Sequence, residues 1–138
     1  MRPYSEALQQ LKDAGLRPTR QRLALARLLF CCDEKRHVTA EEIHAEAQAN
    51  GTPVSLATVY NTLNQFTEAG LLREIVVEPG RTYFDTNTSD HHHFYFEGEG
   101  RLHDLPADAL QLSRMPDLPD GTELNRVDVV IRLKDSLS

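Results

Sequence analysis

Three consecutive histidines, His91-His92-His93, close the polar stretch Asp85-Thr86-Asn87-Thr88-Ser89-Asp90 and make up half of the six histidines in the chain. Imidazole is the commonest metal ligand among side chains, and its unperturbed titration falls between about pH 5 and 8. A strand beginning near His92 points successive side chains to opposite faces. His91, His93 and Tyr95 then share one face, and His92, Phe94 and Phe96 the other. One metal ion can take His91 and His93 together, while His92 points elsewhere. The other sulfur or nitrogen candidates are weaker. Cys31 and Cys32 are adjacent on a helical pattern and read as a buried pair of small apolar groups, not as a disulfide, a redox couple or a haem ligand.

A second chemistry lies upstream. Ser55 follows Thr52-Pro53-Val54 and can cap a helix that Gly70 closes. Leu56, Val59, Tyr60, Leu63 and Phe66 form its apolar stripe, and the opposite face reads Thr58, Asn61, Thr62 and Gln65 at i, i+3, i+4 and i+7. That face is polar without being charged, whereas solvent-facing helix surfaces usually carry Lys and Glu. Short hydrogen-bonding side chains suit base edges in a major groove, where Asn and Gln can pair bidentately with adenine.

The elements that must position these groups follow from capping and periodicity. A first helix runs from Ser5 as N-cap to Ala14, with Leu8 and Leu11 inward and Gly15 as stop. Thr19 caps a second helix to about Cys32, whose stripe is Leu25, Leu28, Leu29 and Cys32. Thr39 and Glu42 form a capping box for a third helix with Ala40, Ile43 and Ala47 inward, ending near Asn50-Gly51. Leu72–Val77 and Arg81–Asp85 flank Glu78-Pro79-Gly80 as a hairpin. Helices followed by a hairpin make a winged helix-turn-helix, with Ser55–Ala69 as recognition helix and Pro79-Gly80 as wing tip. Downstream, His92–Glu97 and Arg101–Asp104 pair as a second hairpin, Pro106–Leu112 forms a short helix, and Val127–Leu133 a strand with Val127, Val129, Ile131 and Leu133 on one face. The fold class is therefore α+β: a winged-helix domain over 1–85, a hinge over 86–90, and a small α/β dimerisation and ligand-sensing domain over 91–138. Three strands in some fifty residues bury little alone, which implies a homodimer.

The formal net charge of −6 is unevenly spread. Residues 1–36 carry eight Lys or Arg against four acids, residues 37–77 one against five, and residues 78–138 six against twelve. A basic N-terminal segment on an acidic body allows local docking on phosphate and keeps the rest off polyanions. No run of about eighteen apolar residues occurs, and Met1-Arg2-Pro3-Tyr4 opens no signal peptide. The expectation is a cytoplasmic protein without a membrane partner.

Leu16-Arg17-Pro18-Thr19-Arg20-Gln21-Arg22, Thr39-Ala40-Glu41-Glu42-Ile43, Ser55-Leu56-Ala57-Thr58-Val59-Tyr60-Asn61-Thr62-Leu63 and the histidine run together resemble the ferric uptake regulator superfamily, over most of residues 4–105 and the last strand. With no CxxC after the histidines, the chain is most similar to the iron response regulator group of alphaproteobacteria. The resemblance implies a regulatory metal site at His37, Asp85, His91, His93 and Asp104, three imidazoles and two carboxylates that suit Fe, Mn or Zn better than a thiophilic metal. Phe96 and Glu99 stand where many relatives have a CxxC, so no structural zinc is expected there. It also implies DNA contacts from Ser55, Ala57, Thr58, Tyr60, Asn61 and Thr62 and from Arg20. Periodicity, in contrast, turns Tyr60 toward the core.

The reading that results is a non-enzymatic, sequence-specific regulator of iron or haem homeostasis. It binds double-stranded operator DNA as a homodimer, or as a tetramer on DNA. Its DNA affinity is set by haem, with an axial ligand from His91, His92 or His93, or by one divalent metal per chain. One alternative is a peroxide sensor using Fe(II) or Mn(II) at the same five ligands. A remote one is a small non-haem iron oxygenase, since two histidines and a carboxylate form a facial triad.

Overall fold

A computed structural model describes residues 5–31 and 34–136. Its contacts divide the chain into two compact units, the first ending at Thr88 and the second beginning at Ser89. The expectations resting on Met1–Tyr4 and on Cys32 lie outside the described residues.

In the first unit, helices α1 (Ser5–Asp13), α2 (Arg20–Phe30), α3 (Ala40–Ala49) and α4 (Leu56–Glu68) precede a sheet of β1 (His37–Val38), β2 (Arg73–Glu78) and β3 (Arg81–Asp85) in the order β1-β3-β2. Each helix start from α2 on is set by a side-chain cap. Thr19 Oγ1 accepts from the Arg22 amide at 3.2 Å, Thr39 Oγ1 from Glu42 at 3.2 Å and Ser55 Oγ from Thr58 at 3.1 Å. At the far end of α4, Gly70 takes φ +83°, a conformation costly for any residue with a Cβ, and the Leu71 amide closes back on the Phe66 carbonyl. The core is built from Leu11, Leu25, Leu29, Ile43, Val59, Leu63 and Phe66, joined by Val38 and Phe84 from the sheet and by Leu72 just before β2.

The arc that α4 buries differs from the one its apolar residues predict. Val59, Thr62, Leu63 and Phe66 are buried, whereas Leu56 and Tyr60 are each 36% exposed. The buried set has the spacing i, i+3, i+4, i+7, so helical geometry fixes the inward face and takes Thr62 with it, despite its hydroxyl. Thr62, expected on the outer face, is turned in; Tyr60, placed inward by periodicity, is turned out. Cys31 is likewise exposed rather than buried, because α2 ends at Phe30 and Cys31 is its C-cap.

Arg36 anchors the approach to β1. Its guanidinium donates to the Leu28 carbonyl at the end of α2 and grips the Glu46 carboxylate of α3 through two bonds of 3.1 and 2.6 Å. The hydrogen bond to Glu46 raises its pKa against the partial burial that would lower it. The Arg36 backbone exchanges bonds with Thr86, its amide to the hydroxyl at 2.8 Å and its carbonyl from the Thr86 amide at 3.0 Å. Two residues of strand suffice to hold His37 in register with Asp85.

The second unit is a sheet in the order β5-β4-β6, from β4 (His91–Phe96), β5 (Arg101–Pro106) and β6 (Val130–Leu133); β5 is antiparallel to β4 and β6 parallel to it. The expected helix over 106–112 is a 3-10 turn at Ala107–Ala109 that ends as Leu110 becomes extended. The last strand begins at Val130 rather than Val127. The Val129 amide donates to the His92 ring at 3.2 Å instead of to a ladder carbonyl, so regular pairing starts one residue later. Phe94 and Phe96 lie 6.4 Å apart and Arg101 stacks 4.3 Å from the Phe96 ring, which fastens the β4–β5 turn.

Phe66 is fully buried at the centre of the helical core and packs 6.4 Å from Phe30. Phe66→Ala is expected to destabilise the protein by about 3–5 kcal/mol, measured as the loss of helical circular dichroism in urea.

Candidate metal and nucleic-acid sites

Alternation along β4 divides the triplet as its sequence requires. His91, His93 and Tyr95 are buried, and His92, Phe94 and Phe96 are half-buried on the other face. Antiparallel register sets Asp104 of β5 opposite His93. The Nε2 atoms of His91 and His93 lie 3.4 and 3.3 Å from the same oxygen, Oδ1 of Asp104, with the two rings 4.5 Å apart. Three donor atoms thus converge from two adjacent strands.

The protons say what this convergence can hold. Nδ1 of His91 lies 2.6 Å from the Ser89 carbonyl. A carbonyl only accepts, so the neutral ring keeps its proton on Nδ1 and directs the Nε2 lone pair at Asp104. A lone pair and a carboxylate oxygen repel each other unless a cation lies between them. The outer hydrogen bond to Ser89 also orients the ring as metal-ligating histidines require. His92 differs: its Nδ1 accepts from the Val129 amide, which places the neutral ring's proton on Nε2. Neither nitrogen of His92 then offers a lone pair to a ligand.

In the first unit, His37 and Asp85 form a second pair. Nε2 of His37 is 3.2 Å from Oδ2 of Asp85, a wholly buried carboxylate whose Oδ1 accepts from the Asn87 amide at 2.9 Å. Burying a carboxylate is costly unless it is paired and hydrogen-bonded. Nitrogen and carboxylate donors suit Fe(II), Mn(II) or Zn(II), and the residues present fit such an ion.

Of the residues expected to contact DNA, Arg20, Ser55, Ala57, Tyr60 and Asn61 are exposed and Thr58 is half-exposed. Thr62 is 5% exposed and cannot reach a base edge from its buried position. Tyr60 donates its hydroxyl to Glu41 of α3 at 2.8 Å. That bond raises the phenol's pKa, with slight burial and the carboxylate's charge adding to it. Arg22 donates to the Gln65 amide oxygen from Nε at 3.2 Å and from a terminal nitrogen at 2.9 Å, and to the Arg17 carbonyl at 2.8 Å. Glu41 and the Arg22–Gln65 contact escaped the sequence reading. Arg22 stands on the basic segment, but nothing in its spacing announces a partner forty-three positions away.

Residues 13–129 match the Ferric uptake regulator family. Over 100 residues the chain is 38% identical to a Bacillus subtilis protein named peroxide operon regulator, a match covering 72% of this chain and 68% of that one. Among solved structures, the ferric uptake regulator of Vibrio cholerae aligns with a TM-score of 0.69 at 27% identity, covering 92% of this chain and 98% of that one. The ferric uptake regulator of Pseudomonas aeruginosa, solved with manganese, aligns with a TM-score of 0.71 at 24% identity over 94% and 97%.

Two outcomes are expected from these geometries. His91→Ala and Asp104→Asn each lower affinity for Zn(II) by at least the 10- to 100-fold typical of losing a supporting group, about that or more, in competition with a chromogenic chelator; His92→Ala leaves it unchanged. The Tyr60–Glu41 bond persists through neutral pH and is lost as pH rises through the raised phenol pKa. Glu41→Gln therefore brings one ultraviolet tyrosinate transition to lower pH, the transition that Tyr60→Phe removes.

Proposed function

Because the chain belongs to the ferric uptake regulator family, we propose that it is a metal-responsive transcription repressor whose bound ion sets the affinity of α4 for operator DNA. The observation that carries this reading is the convergence of His91, His93 and Asp104, with the His91 lone pair held on the carboxylate. In the proposal His37 and Asp85, like His91, His93 and Asp104, are metal ligands. Such an ion supplies positive charge and fixed coordination angles, tying ligands from separate segments into one arrangement. The chain's own part is to hold each donor: Ser89 orients His91, β5 presents Asp104, and Arg36 with Thr86 holds the strand that carries His37.

The DNA-facing side is the exposed part of α4 with Arg20. Thr58 and Asn61 read base edges, Ser55, Ala57 and Tyr60 lie against the backbone, and the basic first segment supplies phosphate contacts. A homodimer, or a tetramer on DNA, places two such helices on a palindromic operator.

An ion is a better-supported signal than haem. His92, the least buried of the triplet, has its Nδ1 engaged by Val129, and His91 and His93 face Asp104 rather than solvent. Regulation of iron homeostasis, with Fe(II) as the ion, is compatible with the donor set. A peroxide response at the same ligands is a second reading, favoured by the 38% identical peroxide operon regulator. It requires that His37 or His91 gain one oxygen atom when the Fe(II)-loaded protein meets hydrogen peroxide, which peptide mass spectrometry reads directly.

The central test is a footprint on the DNA upstream of the protein's own gene with apo protein, with Mn(II) or Fe(II), and with haem. Protection that changes with the divalent ion and not with haem is expected. Asn61→Ala should weaken it by about 1–3 kcal/mol, and protection indifferent to both ion and haem would sink the sensing proposal.

A further inference from the structure

On the proposed operator surface, the hydrogen-bonding polarity of Gln65 is fixed before DNA arrives. Gln65 lies on the exposed side of α4, one turn beyond Asn61 and two beyond Thr58. A free glutamine offers both an acceptor and a donor, the combination that pairs with adenine N7 and N6 in the major groove. Here the guanidinium of Arg22, which has only donors, delivers two N–H groups to one atom of the Gln65 amide. That atom must be Oε1, whichever way the amide is drawn, because the nitrogen cannot accept. Arg22 is in turn steadied by the Arg17 carbonyl. What Gln65 retains for a ligand is its NH2 group alone.

We propose that Arg22 is a positioning residue that makes Gln65 a donor-only reader of the operator, directed at guanine and away from adenine. Guanine presents two neighbouring acceptors, O6 and N7, that match two N–H groups. Thymine presents O4. Adenine's amino group needs an acceptor that Gln65 has already committed, and cytosine shows only a donor. The inference rests on the reading of α4 as the DNA-recognition helix and adds to it a specificity that a helix wheel cannot supply. The uncharged polar face looked suited to adenine; the partner of its last member reverses that preference.

The test is selection from a pool of duplexes with a randomised core by the full-length protein in Mn(II), repeated with Gln65→Ala, Arg22→Ala, Arg22→Lys and Gln65→Glu. Gln65→Ala identifies the position that Gln65 reads, as the one whose preference vanishes. Wild type should select guanine there over adenine by about tenfold, the value of one good pair. Arg22→Ala frees Oε1 and should admit adenine, while Arg22→Lys retains a donor on it and should keep guanine. Gln65→Glu keeps the Arg22 contact but offers only an acceptor, so it should move selection to cytosine or adenine even if Arg22→Ala fails to fold. Adenine preferred by wild type at the Gln65-dependent position, the same discrimination in folded Arg22→Ala, or no Gln65-dependent position at all would overturn the inference while leaving operator binding intact. No enrichment of any duplex by wild type would remove the operator reading and this inference with it.

Discussion

The two-residue period of a β-strand is the constraint on which the candidate metal centre depends. Residues two apart on β4 must share a face, and the antiparallel partner must place one residue directly opposite. His91, His93 and Asp104 meet because of those two rules, with no loop conformation to be stabilised. A slip of one residue in register would send both imidazoles to the other face and replace them with His92 and Phe94. The register is guarded on that other face. There the Val129 amide is bonded to His92, and Phe96 lies under Arg101. The histidine that offers no lone pair to a metal thus helps to set the strand that positions the two that do.

A comparable division of labour organises the first unit. Arg36 binds the last turn of α2, the middle of α3 and Thr86, the residue after Asp85, within one side chain and its own backbone. The half-exposed ion pair with Glu46 contributes little stability by itself; its consequence is positional, since the next residue is His37. Helix α4 is treated in the same manner. Its exposed polar groups are tied to neighbouring helices, Tyr60 to Glu41 and Gln65 to Arg22, so their rotamer entropy is spent in folding rather than on a partner.

Element positions were legible wherever local chemistry decides them. Thr19, Thr39 and Ser55 mark helix starts because a hydroxyl before a helix satisfies amides that have no other partner, and each does so. The strand face that joins His91 to His93 was legible for the same reason, being a property of backbone geometry. Errors arose where sequence pattern and tertiary packing compete. Choosing the inward face of α4 by hydrophobicity selected Leu56 and Tyr60, but the three-dimensional stripe is centred on Val59, Leu63 and Phe66 and includes Thr62. The strand expected from Val127 is delayed by a side chain thirty-seven positions away that takes its neighbour's amide. The 3-10 turn in place of a helix after Pro106 follows from too short a segment: three residues complete no stable helical nucleus.

The donor atoms carry the last step. Thiolates would select soft metals and hold them tightly, closing a site for structure. Imidazoles and carboxylates, the donors of the candidate site, are harder and titratable, and metal binding through donors of this kind releases protons. His91 meets this demand in a particular way, since the Ser89 carbonyl holds its proton on Nδ1 and leaves Nε2 directed at Asp104. Nε2 of His91 and the Asp104 carboxylate together form a pair of nitrogen and oxygen donors of the kind a divalent cation takes. A ligand moves a conformational equilibrium only by binding one of its states better than the other.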